Sequence, residues 1–178
     1  GMHGTLDCYG HVLTGSGRGA GVSCSDRVGV VVRECTIRGY STAIELRSSV
    51  DSYLDTNVIY SNTTGITLVQ SDAVIRPQGN TVQGNTIHHN SSYGIALSGT
   101  ISNSIMSNNV WGNSLFDLWV EDGCQNTISN SGISYVHDQT GGTVTAFAVR
   151  ELLLCNVDRA LVNGSIDNTW QSVHNGGI

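Results

Sequence analysis

The chain has 178 residues, the size of one domain with a core of its own, and only 12 % of them are charged, with 22 Gly, one Pro and no Lys. Poverty in the residues that cover helix surfaces argues against a helical bundle, and 39 % hydrophobic residues at low charge argue against a disordered chain. A net charge of −6 leaves no broad basic face for a nucleic-acid backbone, and no apolar run approaches a membrane span of ~18 residues.

The opening stretch, residues 5–14, reads as short strand segments, and the glycine run Gly15–Gly21 as a flexible turn: no helix follows it to complete a phosphate site. Then a repeat begins. A small residue precedes an alternating apolar pair at Gly21-Val22-Ser23-Cys24, Ala43-Ile44-Glu45-Leu46, Gly65-Ile66-Thr67-Leu68 and Gly94-Ile95-Ala96-Leu97. Asp117-Leu118-Trp119-Val120 keeps the alternation and loses the small residue. The first positions are 22, 22, 29 and 23 residues apart. Period-2 alternation in a helix-free unit of this length predicts a coil of strands, each turn stacked ~4.8 Å from the last, with like residues in register.

Two further columns keep step. One is Leu13, Ile37, Val58, Ile87 and Val110; the other, five positions earlier, is Cys8, Val32, Tyr53, Val82 and Ile105. Two positions before the first column stand His11, Cys35, Thr56, Asn85 and Asn108. Asn and Gly at the turns tolerate left-handed backbone, and stacked Asn side chains can bond one another. The seven extra residues of the long repeat fall between Leu68 and Ile87 and hold Asp72, Arg76, Pro77 and Gln78. Register blurs over 123–150, Leu152, Cys155 and Val157 restore the offsets as a late rung over about 151–167, and 168–178 form a tail.

The segment from Leu6 to Leu46, with NTIHHNSSYGIAL and NNVWGNSLFDLWV, resembles the right-handed parallel β-helix repeat family of the pectate-lyase-like superfamily. The likeness is to its carbohydrate-binding, sugar-hydrolysis and copper-maturation members, and the Leu-Asp-Cys-x-Gly-His opening is shared. The resemblance implies an all-β, single-stranded right-handed β-helix, here one domain of about six rungs of roughly 22 residues, regular over 5–122. It also implies a secreted or cell-surface protein, with Ca2+ a cofactor only if the chain is a lyase. It does not choose an activity, because the fold carries many.

Outward positions carry the candidate chemistry. Two exterior columns are expected: Ser23, Glu45, Thr67, Ala96, Trp119, and Ser25, Arg47, Val69, Ser98, Glu121. Trp119 beside Glu121, and Arg47 beside Glu45, suit a sugar chain, offering an aromatic face for a ring and charge for hydroxyls or uronates. Asp72, Arg76 and Gln78 of the insertion join them. Non-catalytic glycan recognition is therefore the leading reading.

A polysaccharide lyase or hydrolase is the alternative, with His137, Asp138, Arg150 and Glu151 in the C-terminal third. Glu45 and Glu121, three rungs or ~14 Å apart, are too distant to be paired acids, leaving Asp117 or Asp122 with Glu121 as local options. A fragment of a tailspike or adhesin is a third reading. His88-His89 lacks companion ligands, so no metal site is expected. Cys8, Cys24 and Cys35 are expected as reduced core residues, since Cys8 and Cys35 fall ~10 Å out of register, beyond the ~7 Å a disulfide spans. Cys124 and Cys155 are left unassigned. The first rung shows no cover, which predicts a second copy, or more of a longer chain, stacked on it.

Overall fold

The computed structural model describes residues 3–71, 75–121 and 126–133, residue 130 by backbone only, and the strand backbone at 136–138, 142–144 and 149–154. Turn one is β1 (Gly4–Asp7), β2 (Val12–Thr14) and β3 (Ala20–Ser25). Turn two is β4 (Val30–Arg33), β5 (Thr36–Arg38) and β6 (Thr42–Arg47). Turn three is β7 (Tyr53–Asp55), β8 (Val58–Tyr60) and β9 (Thr64–Val69). Turn four is β10 (Thr81–Gln83), β11 (Thr86–His88) and β12 (Tyr93–Ser98). Turn five is β13 (Ser104–Met106), β14 (Asn109–Trp111) and β15 (Phe116–Glu121). The next turn opens with β16 (Asn126–Ile133) and β17 (Val136–Asp138), followed by β18 (Gly142–Val144) and β19 (Val149–Leu154).

The first strands of the turns stack in parallel as sheet A, the second as sheet B and the third as sheet C, with β16 long enough to serve both A and B. This is the expected parallel solenoid. Sheet C carries the two predicted inner ladders in register, Val22–Ile44–Ile66–Ile95–Leu118 and Cys24–Leu46–Leu68–Leu97–Val120. Their first members are half-buried at the open end, and the rest are buried.

Register on the other two sheets differs from the sequence reading. Sheet A stacks Leu6–Val32–Leu54–Val82–Ile105–Ile128, and sheet B stacks Leu13–Ile37–Ile59–Ile87–Val110–Ile133. Leu54 and Ile59 replace Tyr53 and Val58, and Leu6 replaces Cys8. A slip of one residue reverses a strand's faces, so Ile59 is fully buried while Val58 is 38 % exposed. Strand β19 runs antiparallel to β16, with Leu152 opposite Ile128, and the remainder of the expected late rung lies outside the described residues.

The corners share one plan: a left-handed residue, then a ladder residue whose backbone N–H, and in the later turns whose side chain, bonds the next turn. At the A-to-B corner the left-handed residues are Glu34, Thr56, Gly84 and Ser107, preceding Cys35, Asn57, Asn85 and Asn108. Asn85 Oδ1 accepts the Asn57 backbone N–H and Nδ2, each at 2.9 Å, and Asn85 Nδ2 donates to Asn108 Oδ1 at 3.0 Å and to the Leu54 carbonyl at 3.0 Å. A second ladder, Ser52–Asn80–Asn103–Asn126, joins C to A. A third, Asn62–Asn90–Asn113, joins B to C and ends on Asp117, whose Oδ1 accepts Asn113 Nδ2 at 2.7 Å. A buried amide left without these partners costs about 1–3 kcal/mol, so the ladders hold adjacent turns in one register.

The third ladder explains why the fifth repeat lacks its small residue. A Cβ placed at Gly94 would stand 2.8 Å from Asn113 Nδ2 and 2.5 Å from Val110 Cγ1, so that position must stay small while an asparagine crosses it. At Asp117 the side chain is itself the last member of the ladder.

Cys8 and Cys35 form a disulfide, contrary to the expectation of reduced thiols, with Cα atoms 4.8 Å apart. The sequence reading fails here because the first A-to-B corner holds residues 8–11, whereas the second holds only 34–35. The extra pair bulges out as a turn around Tyr9, and Cys8 falls directly over Cys35. Cys35 occupies the ladder position, its N–H donating to Asn57 Oδ1 at 3.0 Å, so the bridge terminates the A-to-B ladder covalently. Cys24 keeps its thiol, whose pKa burial raises. Closing a loop of 27 residues removes unfolded-state entropy equivalent to about 3.5 kcal/mol in the loop-closure treatment. Reduction should therefore lower the thermal midpoint by ten degrees or more, and non-reducing peptide mapping should recover residues 8 and 35 in one linked fragment. An unchanged midpoint in reductant rules out this role.

Candidate functional site

The outer face of sheet C carries the two exterior columns in register. Strands β6, β9, β12 and β15 each point two consecutive residues inward, such as Ala43 and Ile44, so positions 42, 45 and 47 of β6 and their equivalents face out. The two exterior columns stack as expected, Ser23–Glu45–Thr67–Ala96–Trp119 and Ser25–Arg47–Val69–Ser98–Glu121. Arg47 and Glu45 meet in an ion pair at 2.7 Å, and Ser23 Oγ donates to Glu45 at 3.3 Å. Three strands on, Ser98 Oγ reaches Glu121 at 3.4 Å. The structure thus joins Glu45 to Arg47 and sets Trp119 and Glu121 on one face of β15, with the two pairs at opposite ends of the sheet.

Trp119 is half-buried among aromatic neighbours that the sequence reading missed. Its ring centroid lies 5.1 Å from Tyr93 and 5.8 Å from Phe116, and Tyr93 and Phe116 are 6.4 Å apart and nearly parallel. Strict alternation would set Tyr93 and Ala96 on opposite faces. The two inward residues between them bring both to the outside, and that extra residue was the available signal.

Arg76 is exposed in the insertion, which leaves sheet C directly after Val69 in the second outer column. The Pro77 carbonyl is drawn into the corner, accepting from Ile101 N–H and Asn103 Nδ2, each at 3.0 Å. Asp72, Asp122, Cys124 and Cys155 lie outside the described residues. His137 stands opposite Trp119 in sheet C, whereas Glu151 stands opposite Ser129 in sheet A, so the backbone sets the two halves of the alternative catalytic group on different sheets. Asp117 is buried in the asparagine ladder and unsuited to act as a paired acid with Glu121.

A second feature lies on the outer face of sheet B. His88 stacks between Tyr60 and Trp111, with centroids at 5.4 and 4.9 Å and interplanar angles of 2° and 12°. Register places the three in one column, immediately after Ile59, Ile87 and Val110. With Val58 assigned to the core this column was invisible. His88 Nδ1 and His89 Nδ1 are 2.8 Å apart, so one donates and the other accepts. No group of three or more His, Cys, Asp or Glu suited to a metal occurs among the described residues.

Burial lowers the His88 pKa below 6.5, and positive charge on His89 lowers it further. The folded state therefore binds this proton more weakly than the unfolded chain. Its contribution to stability is complete above pH 6.5 and declines as pH falls through the folded-state value. An NMR titration should give the His88 ring a midpoint below 6.5, and Trp111→Ala should move it upward by exposing the ring. A midpoint at or above 6.5 contradicts the sandwich.

The family model for the right-handed β-helix region matches residues 20–151. No curated protein and no solved structure matches the chain. The match spans most of the chain and coincides with the stacked turns, so this protein belongs to the right-handed β-helix family.

Proposed function

We propose that the chain binds a glycan without cleaving it, on the outer face of sheet C. The observation that carries this reading is the aromatic group Tyr93, Phe116 and Trp119 standing beside Ser98 and Glu121. Half-exposed rings take the apolar face of a sugar, and neighbouring carboxylate and hydroxyl groups take its hydroxyls. The Glu45–Arg47 pair at the other end can exchange its internal bond for a uronate carboxylate, to which a guanidinium is suited. Arg76, exposed in the insertion, would border this face. Among the described residues no helix is long and apolar enough to cross a membrane, and the Cys8–Cys35 bridge supports a secreted or surface location.

Trp119→Ala should weaken binding on a glycan array by about 1–3 kcal/mol, roughly 5- to 150-fold, with the fold intact because the side chain is outside the core ladders. Arg47→Ala should matter for acidic sugars only. A reducing-sugar assay on the same preparation tests the enzyme alternative: new ends that vanish with His137→Ala or Glu151→Ala overturn the non-catalytic reading. Neither binding nor product leaves the structural reading, part of a tailspike or adhesin.

The open end supports a second proposal, that another copy or more of a longer chain stacks on turn one. Among the described residues β1, β2 and β3 each have a partner strand on one side only. Leu6, the first member of the sheet A inner column, is 37 % exposed there, in a depression of about 280 Å3 lined also by Val22, Cys24 and Val32. Unpaired strand backbone over apolar side chains recruits further strands. Light scattering should give at least twice the monomer mass. A monomer whose Thr5 and Val12 amides exchange at unprotected rates overturns the proposal.

A further inference from the structure

Along the corner between sheets B and C runs a groove of about 370 Å3 that none of the candidate residues above explains. It takes a contribution from each of the five complete turns, from Gly17 to Gly112, and so extends about 19 Å along the solenoid axis at strand spacing. Thr63, Ser91 and Ser114, on successive turns, present exposed hydroxyl side chains to it, while no Arg, Asp or Glu lines it.

His89 stands at the wall of this groove in an unusual place. Its column, Gly39–Ser61–His89–Gly112, is the left-handed corner position, with φ of 76°, 55°, 51° and 65°. Every other member is glycine or serine. A large side chain held in left-handed backbone costs about 1–2 kcal/mol that glycine avoids, and such strain persists where its surroundings over-determine it. The surroundings are explicit: His89 Nδ1 is tied to His88 Nδ1 at 2.8 Å, its ring meets Trp111 edge-on at 4.7 Å, and His88 is itself clamped by Tyr60 and Trp111. His89 is exposed and lines the groove, and Gly112 on the next turn has no side chain beside its Nε2, from which a Cβ there would stand 3.7 Å. The result is one braced imidazole, exposed beside a line of hydroxyls.

We propose that this corner groove is a second binding site, for a neutral, linear, hydroxyl-rich polysaccharide lying along the solenoid axis, with His89 positioned to hydrogen-bond it. Hydroxyl side chains recurring every ~4.8 Å can both donate and accept, as sugar hydroxyls do, and a charge-free lining favours an uncharged chain. The proposal shares the glycan reading of the sheet C face but rests on a different surface and a different sugar class.

The test is calorimetric titration of the intact chain with a β-1,4-linked glucose hexamer and, separately, a galacturonate hexamer. His89→Gly should weaken the neutral hexamer at least fivefold while leaving the thermal midpoint unchanged or raised, because glycine relieves the left-handed strain. Ser91→Trp should fill the groove and abolish that binding. Trp119→Ala should leave it unaltered while weakening the acidic hexamer. If neither His89→Gly nor Ser91→Trp changes neutral-hexamer affinity, or if the unmodified chain does not bind that hexamer, the groove proposal is overturned. Loss of acidic-hexamer binding in Trp119→Ala is scored separately and decides the sheet C reading alone.

Discussion

The asparagine ladders are the constraint from which the rest of this structure follows. A solenoid of short strands turns three corners per coil, and each corner would bury backbone groups that no sheet can pair. The chain answers with one device repeated at all three: a left-handed residue reverses direction, and the following Asn sends its amide to the next turn. Because a mid-ladder carboxamide such as that of Asn85 both accepts from the turn before and donates to the turn after, its position is set by two neighbours. The ladders therefore fix pitch and register together. The composition follows: Gly, Ser, Thr and Asn fill corners, β-branched and Leu residues fill the interior, and charge has few places to go.

What the sequence made legible was the part whose spacing stays constant. On sheet C, a small residue followed by an alternating pair identified both inner ladders and both outer columns correctly. Elsewhere the same logic failed where corners change length. Val58 and Ile59 are adjacent β-branched residues, and alternation cannot choose between them. The ladder chooses: Asn57 stands two positions before Ile59, just as Asn85 stands two before Ile87. Reading Thr56 in place of Asn57 moved a whole turn by one residue. Cys8 failed for a related reason, since a corner longer by two residues carried it from the core column to the end of a ladder.

The candidate sites show the same division. Glu45, Arg47, Trp119 and Glu121 were legible because they sit in columns of constant spacing. Tyr93 and Phe116 were hidden by the double inward position, and the Tyr60–His88–Trp111 stack by the one-residue slip. Asp117, a local candidate acid in sequence, is the terminus of a buried ladder. Polar residues in this fold thus divide into those that hold corners and those that face outward, and only register tells them apart.

Register also limits what such a surface can recognise. Stacking places equivalent side chains at one spacing along the axis, so an outer column acts as a comb with ~4.8 Å teeth. A compact ligand engages one or two teeth and gains little from the remainder, whereas an extended polymer can gain from each in turn. The arrangement of the teeth then separates ligands by charge. On sheet C, charged and aromatic groups sit at the two ends of the face, a pattern for a chain with acidic or apolar features. Along the B-to-C corner the groove's lining is uncharged, and His89 is the one ionisable ring besides Tyr40, a pattern for a neutral chain. One backbone repeat can thereby present two chemically different outer surfaces, because the ladders that fix its geometry bind the corner side chains and leave the outward positions free to vary.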